Sequence, residues 1–466
     1  MDNLQKDIIK TVLNIGKKPK NIFCLGCAVK VPLRAIVYPA LKMLEQKLTK
    51  GFMSQNIGND AHVFRTARKV NLTRRLYSMD PLRFIGERIK RDVRRYKPKS
   101  GVVLASCTEG ISAKELCGFF LKFYKEIAVT RRSFHVGKGH TIQISKSPEQ
   151  RFMLIDYLDY NEGEYYGVAN NDTIVTIDFN LKHSHWLNVF IALNNALNDL
   201  YALGVYENIT IYPTYDSIYE NDNELIRENL GKYISRFKRY SYSMVDLGPQ
   251  RMGLEMIGAT AVGLTDRELP RMSGLIPGQI LIATRPIGDL AALVSHIIKK
   301  IRGTDTQKDE KLKIDVLSNM ATPNIQIAKI ISEYMPLKGD DLDPEKHITA
   351  TKDISGEGLY ALEEMAIQSK VDIYLTNIKL HAKETASLRV PNNTSNTNGA
   401  ILIAVHRKLL TEVLEKLKKV GCDAWIMAEV GARNRNPIVY IKKTLLKFDF
   451  IKYRANTLFD RFKYID

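Results

Sequence analysis

Apolar positions recur at two periods along this chain, and the alternation between those periods predicts its elements. Val189, Ile191, Ala192, Ala196, Leu197 and Leu200 return at helical spacing, so a helix covers the stretch that ends NNALNDLYALG at Gly204. Within it Asn195 and Asp199 are four residues apart and share one face. Before it, residues 150–160 and 166–179 alternate apolar and polar as strands. Asn170-Asn171-Asp172 is expected as a tight turn between strands. After it the pattern predicts a strand at 209–212, a helix at 224–239 and a strand at 254–263. A strand at 279–284, a helix at 289–302, a polar loop at 303–313 and a helix at 323–334 follow. Gly356-Glu357-Gly358 opens another helix. A polar loop at 389–398, a strand at 400–405, a helix at 407–420 and a terminal hairpin at 427–440 complete the series.

The earlier part of the chain reads differently. Residues 31–150 predict a small α+β unit. Its elements are an amphipathic helix at 35–47, a helix after Asp80-Pro81 with an apolar stripe of Leu82, Ile85, Ile89 and Val93, a short strand at 102–105, a helix at 113–127 and a hairpin at 134–144. Charge sharpens this contrast. The chain of 466 residues has a formal net charge of +18, and residues 31–150 hold 24 Lys/Arg against 9 Asp/Glu. The stretch is either a solvated surface or a footprint for a polyanion such as RNA. It carries no aromatic-studded RNA-binding motif. No run approaches the roughly 18 apolar residues of a membrane span, and the N-terminus lacks the pattern of a signal peptide. Cys24, Cys27, Cys107, Cys117 and Cys422 are too scattered for a disulfide framework, so a reducing cytoplasm is expected.

The polar pair on the central helix has two readings. Asn195 and Asp199 are satisfied core groups, or Asp199 is a Mg²⁺ ligand beside nucleotide phosphates. There is no GxxxxGK[ST] loop, and Gly137-Lys138-Gly139 is too short to stand for one.

Four segments taken together resemble the selenophosphate synthetase branch of the aminoimidazole-ribonucleotide synthetase-like ATP enzymes. They are Asn195-Ala196-Leu197-Asn198-Asp199 with Gly204, Ile276-Pro277-Gly278-Gln279 running into Thr284-Arg285-Pro286-Ile287-Gly288, Asp353-Ile354-Ser355-Gly356-Glu357-Gly358-Leu359, and Thr397-Asn398-Gly399-Ala400 running into Val405. They occur in the family's order between residues 164 and 440.

The resemblance implies an α+β fold of two domains. It implies a mixed, β-barrel-forming N-domain at 151–265 and an α/β sandwich at 266–440. These would be flanked by a glycine-containing segment at 1–30, the basic insertion at 31–150 and a basic tail at 441–466. It implies ATP and Mg²⁺ as cofactors, a small-molecule phosphate acceptor and a homodimer. Cys27 and Lys30 would be the catalytic pair. Gly26, Lys30, Asp178, Asn195, Asp199, Gly248 and Gln250 would meet the nucleotide, and Asp199, Asp353 and Glu164 the metals. Three departures are visible. Val29 replaces a second cysteine, the first metal aspartate falls near Tyr165 with Glu164 the neighbouring carboxylate, and the turn at 245–250 lacks the family's histidine.

Overall fold

The computed structural model describes residues 157–445 apart from 175, 179–180, 218, 247, 250–255 and 382–392. It also describes 462–466 and the strands at 53–57, 61–66, 103–104, 133–136, 141–145 and 150–155. The strands form three sheets.

The first sheet lies within the basic part of the chain. It comprises β1 (Met53–Ile57), β2 (Ala61–Thr66), β3 (Val103–Leu104), β4 (Ser133–Val136), β5 (Thr141–Ser145) and β6 (Gln150–Ile155), in the order β1-β2-β6-β5-β4-β3. The predicted hairpin is the antiparallel β4–β5 pair. The helices expected at 35–47, 82–93 and 113–127 lie outside the described residues.

The second sheet has the order β10-β9-β11-β8-β7, from β7 (Tyr157–Glu162), β8 (Tyr165–Ile174), β9 (Thr210–Asp216), β10 (Ser243–Met244) and β11 (Met256–Thr265). Two expectations change here. The run read as one strand over 150–160 divides between β6 and β7, which belong to different sheets. The turn expected at Asn170-Asn171-Asp172 is continuous strand, with all three residues paired to β11. The hairpin turn lies instead between Glu162 and Tyr165, where Gly163 takes a φ of +62° that a side chain would resist. Asn170 and Asp172 sit at the same parity as Val168 and Ile174, so they are polar residues at inward-facing positions.

The inward face packs on helix α1 (Trp186–Ala202). This helix is buried nearly all round, the mark of an element with neighbours on every side. It touches β8 and β11, helix α2 (Glu220–Ser235), and three elements of the C-terminal half: α4 (Gln307–Ala321), α5 (Ile325–Glu333) and β13 (Ala350–Asp353). Before α4, within the C-terminal half, comes α3 (Asp289–Arg302), as predicted.

The third sheet adds β12 (Ile280–Ala283), β14 (Val371–Leu375), β15 (Ile401–Val405), β16 (Trp425–Arg433), β17 (Val439–Lys442) and β18 (Phe462–Ile465), in the order β13-β15-β12-β16-β14-β17-β18. Its central strands are apolar on both faces because both faces are covered. Ile280, Ile282, Ile401, Ile403 and Val405 join the core that includes α1, α3 and α5. Leu281, Ala283, Leu402 and Ala404 join a second core with α6 (Tyr360–Ser369). Helix α7 (Leu410–Lys419) packs against α5.

Two more expectations change. The polar loop at 303–313 is mostly α4. Thr306 and Asp309 form a reciprocal capping box at its start. Val316, Leu317 and Met320 supply the buried stripe that the charged first turns obscure. The terminal hairpin is absent, since β14 lies between β16 and β17 and pairs in parallel with β17. The architecture is α+β: three sheets, the second and third with helices packed on them.

Candidate functional site

Polar side chains leave α1 in two pairs, each spaced by four. Asn195 and Asp199 face the sheet. Asn170 donates through Nδ2 to Asp199 Oδ2 at 2.7 Å and to the Ala196 carbonyl at 3.0 Å. Both contacts are to acceptors, so the amide orientation is fixed. Asn170 Oδ1 is then a buried acceptor without a hydrogen bond. Asn195 donates to Asp172 Oδ2 and accepts from the Asn398 backbone N–H at 2.7 Å. Asn194 and Asn198 face the C-terminal half. Asn194 accepts from the Tyr233 hydroxyl at 2.6 Å and donates to the Met320 carbonyl at 3.2 Å. Asn198 accepts from Asn324 at 2.7 Å, and Asn324 also donates to the Gly399 carbonyl at 3.0 Å.

The loop 393–400 joins this amide cluster to a charged one. Asn398 adopts φ of +51° and donates through Nδ2 to the Met320 and Thr322 carbonyls. At Gly399 a Cβ would stand 1.7 Å from the Ile354 carbonyl, so only glycine lets the loop approach the end of β13. There Asp353 is buried, with the Lys352 ammonium 3.4 Å from its Oδ1. The same ammonium lies 3.7 Å from Glu357 Oε1 and 3.4 Å from Glu364 Oε2. All four side chains are nearly solvent-free, a lysine shared by three carboxylates.

Asp178 lies beyond the end of β8 rather than within a strand, and it pairs with Lys313 of α4 at 2.7 Å. Near the edge of the second sheet Asp246 orders the turn that precedes Gly248. It accepts from the Gly248 N–H at 2.8 Å, from Tyr215 Oη and from Arg227 Nε. Burial, above all, pushes the Tyr215 hydroxyl up to about 12. Gly248 has φ of +86° and open space where a Cβ would be.

Of the residues expected at the site, the fold brings Asn195 and Asp199 into one cluster and ties Asp353 to it through 398–400. Glu164 is exposed in the β7–β8 turn. Asn170, which holds Asp199, is six residues farther along β8, roughly 20 Å at strand rise. Glu164 therefore does not join the cluster, and Asp172 is the carboxylate beside Asn195. Gly26, Cys27, Lys30 and Gln250 lie outside the described residues. Asn170, Asp172, Lys313 and Lys352 were not foreseen. For the first two the available signal was polarity at inward strand positions.

This geometry sits largely on a segment with known relatives. Residues 277–441 match the AIR synthase related protein, C-terminal domain. This chain thus carries an AIR-synthase-related C-terminal domain. It is 23% identical over 261 residues to a probable selenide, water dikinase of Caenorhabditis elegans, covering 51% of this chain and 68% of that protein. It is 22% identical over 311 residues to selenide, water dikinase 3 of Danio rerio, covering 58% and 65%. The chain thus spans about two thirds of the length of these relatives. Among solved structures, thiamine-monophosphate kinase from Stenotrophomonas maltophilia aligns with a TM-score of 0.44 at 12% identity, over 64% of this chain and 90% of that one. Hydrogenase maturation protein HypE aligns at 0.43 and 15%, over 60% and 86%. The AIR-synthase-related segment contains β13, the loop 393–400 and the Lys352 cluster, while α1 and Asp199 precede it.

Proposed function

We propose that this chain is an ATP- and Mg²⁺-dependent phosphotransferase acting on a small acceptor, selenide or a related compound, and that it works as a homodimer. One observation carries the reading. Asp199, half-buried on a rigid helix, is held by an amide whose own oxygen is a buried acceptor without a hydrogen bond. Carboxylate and amide oxygens are the donors a hard cation takes, so Asp199 and Asn170 suit Mg²⁺. Asp353 suits it less, because Lys352 already supplies positive charge there.

Phosphoryl transfer asks a protein mainly for positioning and charge neutralisation. Asp199 and Asn170 would hold Mg²⁺, which would supply charge neutralisation for the phosphates. Asn170 fixes the Asp199 carboxylate, and Asn195 fixes the 398–400 loop against α1. Lys313 sets positive charge beside Asp178. Asp178, Asn195, Gly248 and Gln250 are assigned to the nucleotide side, with Cys27, Lys30 and Gly26 assigned to the acceptor side by resemblance. The departures at Val29, near Tyr165 and in the turn at 245–250 argue for an altered acceptor or a weakened enzyme.

Thermal shift with MgATP tests this reading. A ligand that binds only the folded state raises the melting temperature by mass action. The wild type should shift upward with millimolar MgATP, and Asp199→Asn should lose most of the shift while keeping its own melting temperature within a few degrees. A wild type indifferent to MgATP rejects the proposal.

A further inference from the structure

Helices α3 and α4 form a packed pair joined by a short turn. The turn between them is built rigidly. Gly303 caps α3 with φ of +66°, and the Thr306–Asp309 capping box starts α4. Lys299 ties the two together through Asp309 Oδ1 at 2.6 Å. That frame points three side chains at one spot. His296 comes from α3, Asp305 from the turn and Glu310 from the first turn of α4, with one ligand atom of each within 4.8 Å of the others.

The histidine is the independent observation. His296 is only 3% exposed, and its Nε2 meets Glu310 Oε1 at 3.0 Å. A buried imidazole facing two carboxylates brings three ligand atoms to one point. Asp305 and Glu310 are only partly buried, so their carboxylates are free to adjust.

We propose that His296, Asp305 and Glu310 bind a divalent transition-metal ion of the zinc class, which clasps α3 to α4. One imidazole with two carboxylates is a donor set for zinc and its neighbours rather than for Mg²⁺, which prefers oxygen alone. Bonds of about 2.0–2.2 Å place ligand atoms no more than ~4.4 Å apart. The exposed carboxylates therefore close by a few tenths of an ångström. Lys300 Nζ, 3.5 Å from Glu310 Oε1 and half-exposed, swings into water as the ion enters. Three protein ligands leave a position for water or for a group from another molecule. The site uses none of the residues assigned to the nucleotide or the acceptor, so it stands or falls independently of the phosphotransferase reading. Because α4 also carries Lys313 opposite Asp178, the clasp steadies the helix that reaches that aspartate.

The test uses the full chain, stripped with chelator and dialysed. Zn²⁺ is titrated in competition with a chromophoric chelator, and Co²⁺ is followed by visible absorption. The wild type should take up one more equivalent than Asp305→Asn/Glu310→Gln, or bind it at least about tenfold more tightly. These two changes are at the surface, so the circular dichroism should be unchanged. His296→Gln should lose the same equivalent and the associated Co²⁺ absorption. If His296→Gln fails to fold, the surface double variant decides alone. Equal uptake and affinity in the wild type and the double variant, including no uptake by either, overturns the proposal.

Discussion

The amide cluster around α1 and the charged cluster around Lys352 are joined by one loop, yet they are held in different ways. In the first, Asn170, Asn194, Asn195, Asn198, Asn324 and Asn398 meet partners at ordinary hydrogen-bond lengths, as in the 2.7 Å contacts to Asp199 and from Asn324. In the second, one ammonium is shared by three carboxylates at 3.4–3.7 Å, with its hydrogen bond to Asp353 at the long end of the range. Amides are directional and cost little to bury once each donor has an acceptor. Charges are costly to bury and are tolerated when they balance in sum. The amide cluster therefore fixes geometry, and the charged cluster fixes local electrostatics.

That distinction predicts unequal responses to substitution. Lys352→Met leaves three buried carboxylates without their shared ammonium and should destabilise the protein by about 3–5 kcal/mol, read by urea unfolding. Asn195→Leu deprives Asp172 of a donor and the Asn398 N–H of an acceptor, and should cost about 1–3 kcal/mol in the same assay. A loss for Asn195→Leu equal to that for Lys352→Met would erase the contrast.

The smallest effect concerns a pair in direct contact nearer the surface. The Lys299 hydrogen bond, first among several causes, holds Asp309 down to about 2, from an ordinary 3.8. A carboxylate with a depressed pKa stabilises the fold above its unfolded value and loses that contribution as pH falls through the folded one. Asp309→Asn should therefore lower stability by about 1 kcal/mol at neutral pH. The gap to wild type should close between about pH 4 and pH 2, as followed by thermal melts across that range.

The sequence carried some of this arrangement openly. The α1 stripe, α3, β12 and β15 were legible because their apolar periods are uninterrupted. Helix α4 was hidden by its opening QKDEKLKID, in which charge swamps a sparse apolar stripe. β8 was broken in the reading by Asn170-Asn171-Asp172, because those residues favour turns when nothing opposes them. In the fold α1 opposes them, offering each inward polar group a partner. Asn195 and Asp199 could be found from helical spacing and resemblance. Lys313 and Lys352 could not, since their importance comes from partners brought near by the fold, as Asp178 is to Lys313 across more than a hundred residues.

The burial of α1 has a consequence for how the molecule comes together and apart. Its side chains form part of the core that includes Ile280, Ile282, Ile401 and Ile403, so a wall of the C-terminal sheet's hydrophobic interior is supplied by the preceding domain. Its last turn is also tied to β13, where Thr351 Oγ1 donates to the Ala202 carbonyl. The familiar division into two domains is thus a division of topology and not of cooperativity. Neither half can loosen far without exposing apolar surface belonging to the other, and the unit that melts is larger than the unit the strand order defines.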